Sequence, residues 1–119
     1  MNKVNLAKKF SLFNGLWEPK IVGELNNQYV KLAKLKGEFV WHDHENEDEL
    51  FMVIKGHLTI KLRDGDVELD EGEMYIIPRG VEHMPVAENE VQVLMFEPMG
   101  TVNTGAVDSD RTVKDIEVI

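Results

Sequence analysis

From Lys20 to Glu97 the chain repeats a single pattern: a short apolar run, then a cluster of glycine, proline, asparagine or aspartate. A helix that buries one face needs apolar residues at three- and four-residue spacing over about ten positions or more, and no run in this stretch sustains that period. Strands are predicted instead over Ile21–Gly23, Gln28–Lys36, Phe39–His44, Leu50–Ile54, Leu58–Arg63, Val67–Leu69, Met74–Ile77, His83–Val86 and Val91–Glu97. Turns fall at Asn26-Asn27, Lys55-Gly56, Asp64-Gly65-Asp66, Asp70-Glu71-Gly72, Pro78-Arg79-Gly80 and Ala87–Glu90, and Asp64-Gly65 between two strand-like runs is a strong hairpin signal. Many short, evenly spaced strands predict an antiparallel sandwich or barrel. Outside it, Leu6, Phe10 and Phe13 recur at helical spacing behind Asn5, a suitable cap, so a short N-terminal helix is expected from Asn5 to about Phe13. The tail from Pro98 to Ile119 is less regular; its apolar end, Val113, Ile116, Val118 and Ile119, predicts an extended arm packed on the sheet or on a neighbouring subunit.

Composition limits the function classes. The 119 residues allow one domain with one core. A formal charge of -9 with no compensating basic stripe argues against nucleic acid and against anionic membranes. No apolar run reaches the length of a membrane span, and the N-terminal lysines are not followed by a signal-peptide core, so a cytoplasmic protein is expected. The absence of cysteine removes disulfides, iron–sulfur clusters and thiolate nucleophiles.

Within this frame, His42 and His44 stand at i and i+2, which on a strand places both imidazoles on one face. Glu49 follows five residues on, and His83 lies in the next half of the chain. Imidazole suits zinc, copper, iron and nickel, and a carboxylate widens the range toward manganese. The combination reads as a metal site. The other members of the acidic stretch Asp43–Asp48 read as a solvated loop.

The fuller pattern Gly37-x4-His42-x-His44-x4-Glu49-x6-Gly56 resembles the first motif of the cupin superfamily, and Gly72-x5-Pro78-x-Gly80-x2-His83 resembles the second. The 15 residues between them, His57 to Glu71, match the short spacing of small single-domain cupins. The nearest flavour is the stand-alone cupins similar to mannose-6-phosphate isomerases. Two departures stand out: the first motif usually has five residues before its first histidine, and the second usually ends in asparagine where this chain has Ala87. Neither touches a ligand position. The resemblance implies an all-β fold, a small jelly-roll barrel over about residues 20–97 with residues 98–119 as its arm, in one domain spanning 1–119. It implies one divalent metal ion (zinc, manganese, iron or nickel) held by His42, His44, Glu49 and His83, a small-molecule ligand, and a homodimer. Three neutral imidazoles and a carboxylate leave two positions of an octahedral shell open, which serves an isomerase or a dioxygenase, or a non-catalytic sensor or storage module.

Strand alternation predicts Val40 and Glu38 on the ligand side of their strand, Phe51 and Val53 on that of Glu49, and Pro85 and Ala87 on that of His83, giving a small, partly greasy pocket. Glu38 is then the one extra acid–base candidate on its strand, although Gly37 before it can introduce a bulge that reverses its direction. Trp41 should face away from the ligands, Lys34 and Lys36 read as solvated edge lysines, Arg79 and His57 as exposed turn residues, and the methionines as core filler rather than a copper site.

Overall fold

The computed structural model describes residues 2–119. A helix, α1 (Leu6–Phe10), precedes the strands β1 (Lys20–Leu25), β2 (Gln28–Glu38), β3 (Glu49–Lys55), β4 (Leu58–Leu62), β5 (Gly65–Leu69), β6 (Met74–Ile77), β7 (His83–Pro98) and β8 (Glu117–Val118). Asn5 caps α1 by accepting from the Lys8 N–H at 3.0 Å, satisfying a backbone donor that would otherwise face water. The helix is one turn shorter than its apolar spacing predicts, because Phe13 reaches the sheet from the coil beyond it.

Strand β7 organises the barrel. Along one edge it pairs antiparallel with β2 over nearly its whole length; along the other it pairs first with β4, through His83–Val86, and then with β3, through Gln92–Phe96. The two partners lead to β5 and β6 respectively, so two sheets diverge from one long strand and enclose a core between them. This is a jelly-roll arrangement. The loop expected at Ala87–Glu90 is therefore absent: Ala87 pairs with Gly37, and the chain stays extended while Glu88, Asn89 and Glu90 turn to solvent at the corner. A run of polar side chains is compatible with either outcome, and backbone pairing decided it.

The core follows period two. Ala33 and Leu35 of β2, Phe51 and Val53 of β3, and Val91, Val93 and Met95 of β7 point inward, as the alternation of β3 and β7 predicts. The outer face of the large sheet carries a second, smaller cluster, where Phe10, Phe13 and Leu32 pack with Val22, Ile54, Leu94 and Ile119. Deleting the buried Phe10 side chain would cost about 3–5 kcal/mol. Lys34, expected as a solvated edge lysine, is buried instead: β2 is an inner strand, and Lys34 Nζ donates to Phe13 O at 2.6 Å. Lys36 is exposed as read.

Two tight hairpins close as their residues dictate. Asn26 and Asn27 both take positive φ, 46° and 66°, the requirement of a primed two-residue turn between β1 and β2. The predicted Asp64-Gly65 hairpin forms with Arg63-Asp64 at its tip, since Gly65 already pairs with Leu62. The arm ends in β8, which lies parallel to β1. Among the described residues no helix is long and apolar enough to cross a membrane.

Candidate metal centre

The strand expected over Phe39–His44 does not form. At Gly37, φ +82° and a shift in the β2–β7 register mark a bulge, and β2 ends at Glu38. The bulge undoes the alternation on which the inward placement of Glu38 and Val40 rested: Glu38 is exposed and Val40 only half-buried. His42 and His44 lie in the irregular segment that follows, and individual hydrogen bonds position them. His42 and His83 exchange both backbone bonds, at 3.1 and 2.9 Å, and Gly80 N–H donates to His44 O at 2.8 Å. The Pro78–Gly80 turn thus clamps the loop, with Arg79 N–H donating to Asp48 Oδ1 at 2.8 Å and its exposed guanidinium 3.5 Å from the same carboxylate. Glu49 opens β3 and His83 opens β7.

The four side chains His42, His44, Glu49 and His83 are buried, and one potential donor atom from each lies within 4.8 Å of the others. Backbone carbonyls set two of the tautomers. His42 Nδ1 meets Val40 O and His83 Nδ1 meets Val81 O, each at 2.9 Å, so these nitrogens carry the proton and each Nε2 presents a lone pair. Glu49 Oε1 lies 3.5 Å from His44 Nε2 and 3.4 Å from His83 Nε2. Both nitrogens of His44, Glu49 Oε1 and His83 Nε2 have no hydrogen-bond partner although fully buried. Unpartnered buried polar atoms are costly, and a set of converging lone pairs is satisfied by a cation. The donor set therefore fits a divalent metal ion.

Charge in this cluster follows its burial. His42 is pushed down to about 4, first by loss of solvent and then by His83. Burial would lower His44 too, but the neighbouring carboxylate of Glu49 outweighs it and raises it. Burial would raise Glu49, yet the adjoining Glu97, His44 and His83 outweigh it and hold it well below the usual carboxylate range. Glu97 moves the other way, pushed well above that range by burial and then by the charge of Glu49.

Glu97 belongs to a feature that sequence reasoning missed. It is 1% exposed and accepts at Oε1 from Lys31 Nζ at 2.8 Å, forming a buried ion pair behind Glu49. Extending the inward series Val91, Val93, Met95 by one more step would have placed Glu97 inside.

A narrow cavity of about 30 Å³ adjoins His42 and Glu49. Trp17, Leu35, Phe39, Phe51, Pro85 and Met95 supply its apolar walls. Phe51 and Pro85 stand where alternation places them, whereas Trp17 and Phe39 arrive by tertiary packing. Their rings stack at 4.7 Å and 15°, and Phe39 presents itself edge-on to His42 at 5.3 Å. Trp17 is held at φ 61°, a strained conformation for a bulky residue, by bonds from its N–H to Lys34 O at 2.8 Å and from Nε1 to Lys36 O at 2.9 Å. The arm also reaches the cavity through Asn103, whose Nδ2 donates to Arg111 O at 2.8 Å while its Oδ1 accepts from Val113 N–H at 2.9 Å. Nearby, a Cβ at Gly105 would sit 2.0 Å from Asp43 O, so glycine permits the arm to dock between the two histidines of the loop.

The remaining candidates lie elsewhere. Trp41 is half-buried beneath the Arg63 guanidinium, 3.7 Å from its ring centre. His57 sits half-exposed between Asp70 and Glu68.

Residues 28–97 match the family model described as Cupin domain. The chain is 38% identical over 63 residues to the uncharacterized protein YdbB of Bacillus subtilis (strain 168), an alignment covering 52% of this chain and 56% of that protein. It is 31% identical over 75 residues to an acireductone dioxygenase of Bacillus thuringiensis subsp. konkukian, covering 59% of this chain and 44% of the enzyme. The chain thus spans about half the length of the curated relatives it matches. The crystal structure of a cupin-2 domain containing protein from Shewanella frigidimarina superposes with a TM-score of 0.79 at 48% identity, covering 80% of this chain and 93% of the other.

Proposed function

The chain belongs to the cupin domain family, and from that premise we propose that His42, His44, Glu49 and His83 hold one divalent metal ion at which the protein binds and transforms a small organic molecule. The observation that carries this reading is the set of buried, unpartnered donor atoms converging beside an apolar cavity. Zinc, manganese, iron and nickel all suit three imidazoles and a carboxylate. The ion would supply Lewis acidity, or with iron redox chemistry, at coordination positions the protein leaves open.

Among the reactions open to such a centre, a dioxygenase type is favoured over sugar-phosphate isomerisation. No lysine or arginine lines the cavity, and among the described residues it offers no acid–base side chain beyond His42 and Glu49 themselves. A phosphate would find no cationic partner there, and an isomerase would lack a separate group to move its proton. The similarity to an acireductone dioxygenase points the same way. That same absence of a separate acid–base group also supports a second reading, a non-catalytic module that binds a ligand through its metal.

Elemental analysis of purified protein, with and without His42→Ala plus His83→Ala, tests the metal assignment. Near-stoichiometric metal that vanishes in the double variant is expected; unchanged metal content would overturn it. Oxygen consumption by the iron-loaded protein across a panel of diketones, thiols and organic acids separates enzyme from binding module. The reading also includes a homodimer: β6 is an edge strand carrying Met74 and Ile76, 54% and 49% exposed, which a second copy would cover. A clean monomer by sedimentation at micromolar concentration would sink that part.

A further inference from the structure

Resting on the metal-centre reading for what lies beneath, we infer that the segment from Val102 to Ile116 is a strap across the barrel mouth that must lift before an organic ligand reaches the site. The cavity beside His42 and Glu49, about 30 Å³, has room for roughly one or two water molecules, whereas pockets that hold organic ligands measure about 300 Å³ or more. Some wall therefore has to move, and the walls are not equally free. Ala33, Leu35, Phe51, Pro85 and Met95 stand in β2, β3 and β7. Phe39 N–H donates to Pro85 O at 3.0 Å, and Trp17 donates to Lys34 O and Lys36 O, so both aromatic walls hang on strand backbone. Asn103 alone comes from the arm.

The arm is built to move as a unit. Met99 N–H pins one end to Asn27 O, and the pairing of Glu117 and Val118 with Lys20 and Ile21 pins the other. Between these pins, among the described residues, every hydrogen bond made from Val102 to Ile116 stays inside the segment, as those of Asn103 with Arg111 and Val113 and of Thr104 with Val107 and Thr112 do. Lifting the segment breaks none of them. Neither apolar cluster takes a residue from it. Clefts of about 300 and 340 Å³ border it, one against the Asp43–Glu47 loop and the other against Ile21, Tyr29 and Lys31. What holds it down is local: the Arg111 guanidinium over the Trp17 ring at 5.2 Å, and Gly105, at φ 60°, seated on Asp43 O. A segment with few buried apolar contacts and no backbone bond to its support opens well before the fold does.

The test uses the full chain as purified, carrying Trp41→Phe so that Trp17 is its single tryptophan, with acrylamide as the probe. Acrylamide is a small organic quencher, and it must enter the cavity to reach Trp17, which is buried. Gly105→Ala presses a methyl group against Asp43 O and strains a positive φ, so it should raise the quenching rate constant about tenfold. Arg111→Ala, which removes the contact over the Trp17 ring, should raise it about twofold. Native-state hydrogen exchange on the unaltered chain needs no variant. The amides of Gly105, Val107, Thr112 and Val113 should open together, on the order of a hundredfold more often than those of Val91, Val93 and Met95. Quenching that rises in neither variant, or arm amides that exchange only as the β7 amides do, would overturn the inference. None of these measurements depends on bound metal, so metal-free protein by elemental analysis would overturn the metal-centre reading and leave the strap standing.

Discussion

His57 and His83 both lie within reach of carboxylates, yet their surroundings make opposite use of the same chemistry. Each ring nitrogen of His57 has an acceptor 2.7 Å away, Asp70 Oδ1 at Nδ1 and Glu68 Oε2 at Nε2, in a half-exposed cluster that Thr59 completes with a bond to Glu68. Every donor is matched, and the cluster needs nothing further. His83 is fully buried; its Nδ1 is spent on Val81 O, and its Nε2 faces Glu49 across 3.4 Å without a proton to share. There the acceptors outnumber the donors. The comparison teaches that a histidine beside carboxylates marks a cation site when burial removes water and backbone bonds fix the proton on the far nitrogen.

The largest effect that could break this contrast lies behind Glu49. Glu97→Ala or Lys31→Ala alone should destabilise the protein by about 3–5 kcal/mol, because either leaves a buried charge unpaired. Lys31→Met with Glu97→Leu should recover most of that loss in a denaturant titration. Additive losses in the double variant would mean the two side chains do not act as a pair.

Acid should separate the buried cluster, through His42, from His57 next. In metal-free protein His42 lies at about 4, below its unfolded value of 6.5, so the unfolded chain takes up the proton first. Its contribution is fully present above pH 6.5 and is lost as pH falls toward 4, by at most about 3 kcal/mol. His57 has the opposite sign. Its folded value is raised by Asp70 and Glu68, so its contribution is present below the unfolded value and lost as pH rises through the folded one. Chemical denaturation of the metal-free protein at a series of pH values, with and without His57→Gln, reads both slopes.

Metal should stabilise the buried cluster alone. At a free ion concentration of about a hundred times Kd the gain is about 2.7 kcal/mol, visible as a rise of several degrees in Tm that a chelator reverses. His57→Gln should retain that rise and Glu49→Gln should lose it; a rise that persists in Glu49→Gln would place the ion elsewhere. Smallest is the direct effect of His57→Gln at pH 6, a few tenths of a kcal/mol after solvent screening, which added salt should erase.

The fold and much of the site were legible in the chain for different reasons. Period two at Phe51–Val53 and Val91–Met95 identified the inward faces, because those strands stay paired through the region concerned. The same rule failed at Glu38 and Val40, where the bulge at Gly37 ends the strand, and at Lys34, where burial depends on a phenylalanine carbonyl twenty-one residues earlier in the chain. Trp17 and Asn103 flank the motifs at a distance, and nothing local links them to His42.

Spacing alone determined which residues form a candidate metal centre and which family pattern they follow, since turn glycines, ligand positions and strand period are local properties of a chain. Tertiary structure decided the rest: that His42 and His44 converge through bonds to His83 and Gly80 rather than through a strand, that Lys31 and Glu97 pair behind Glu49, and that the cavity is walled by apolar rings. These depend on desolvation and on contacts between segments far apart in sequence, whose strength is set by what surrounds a group and not by its neighbours along the chain.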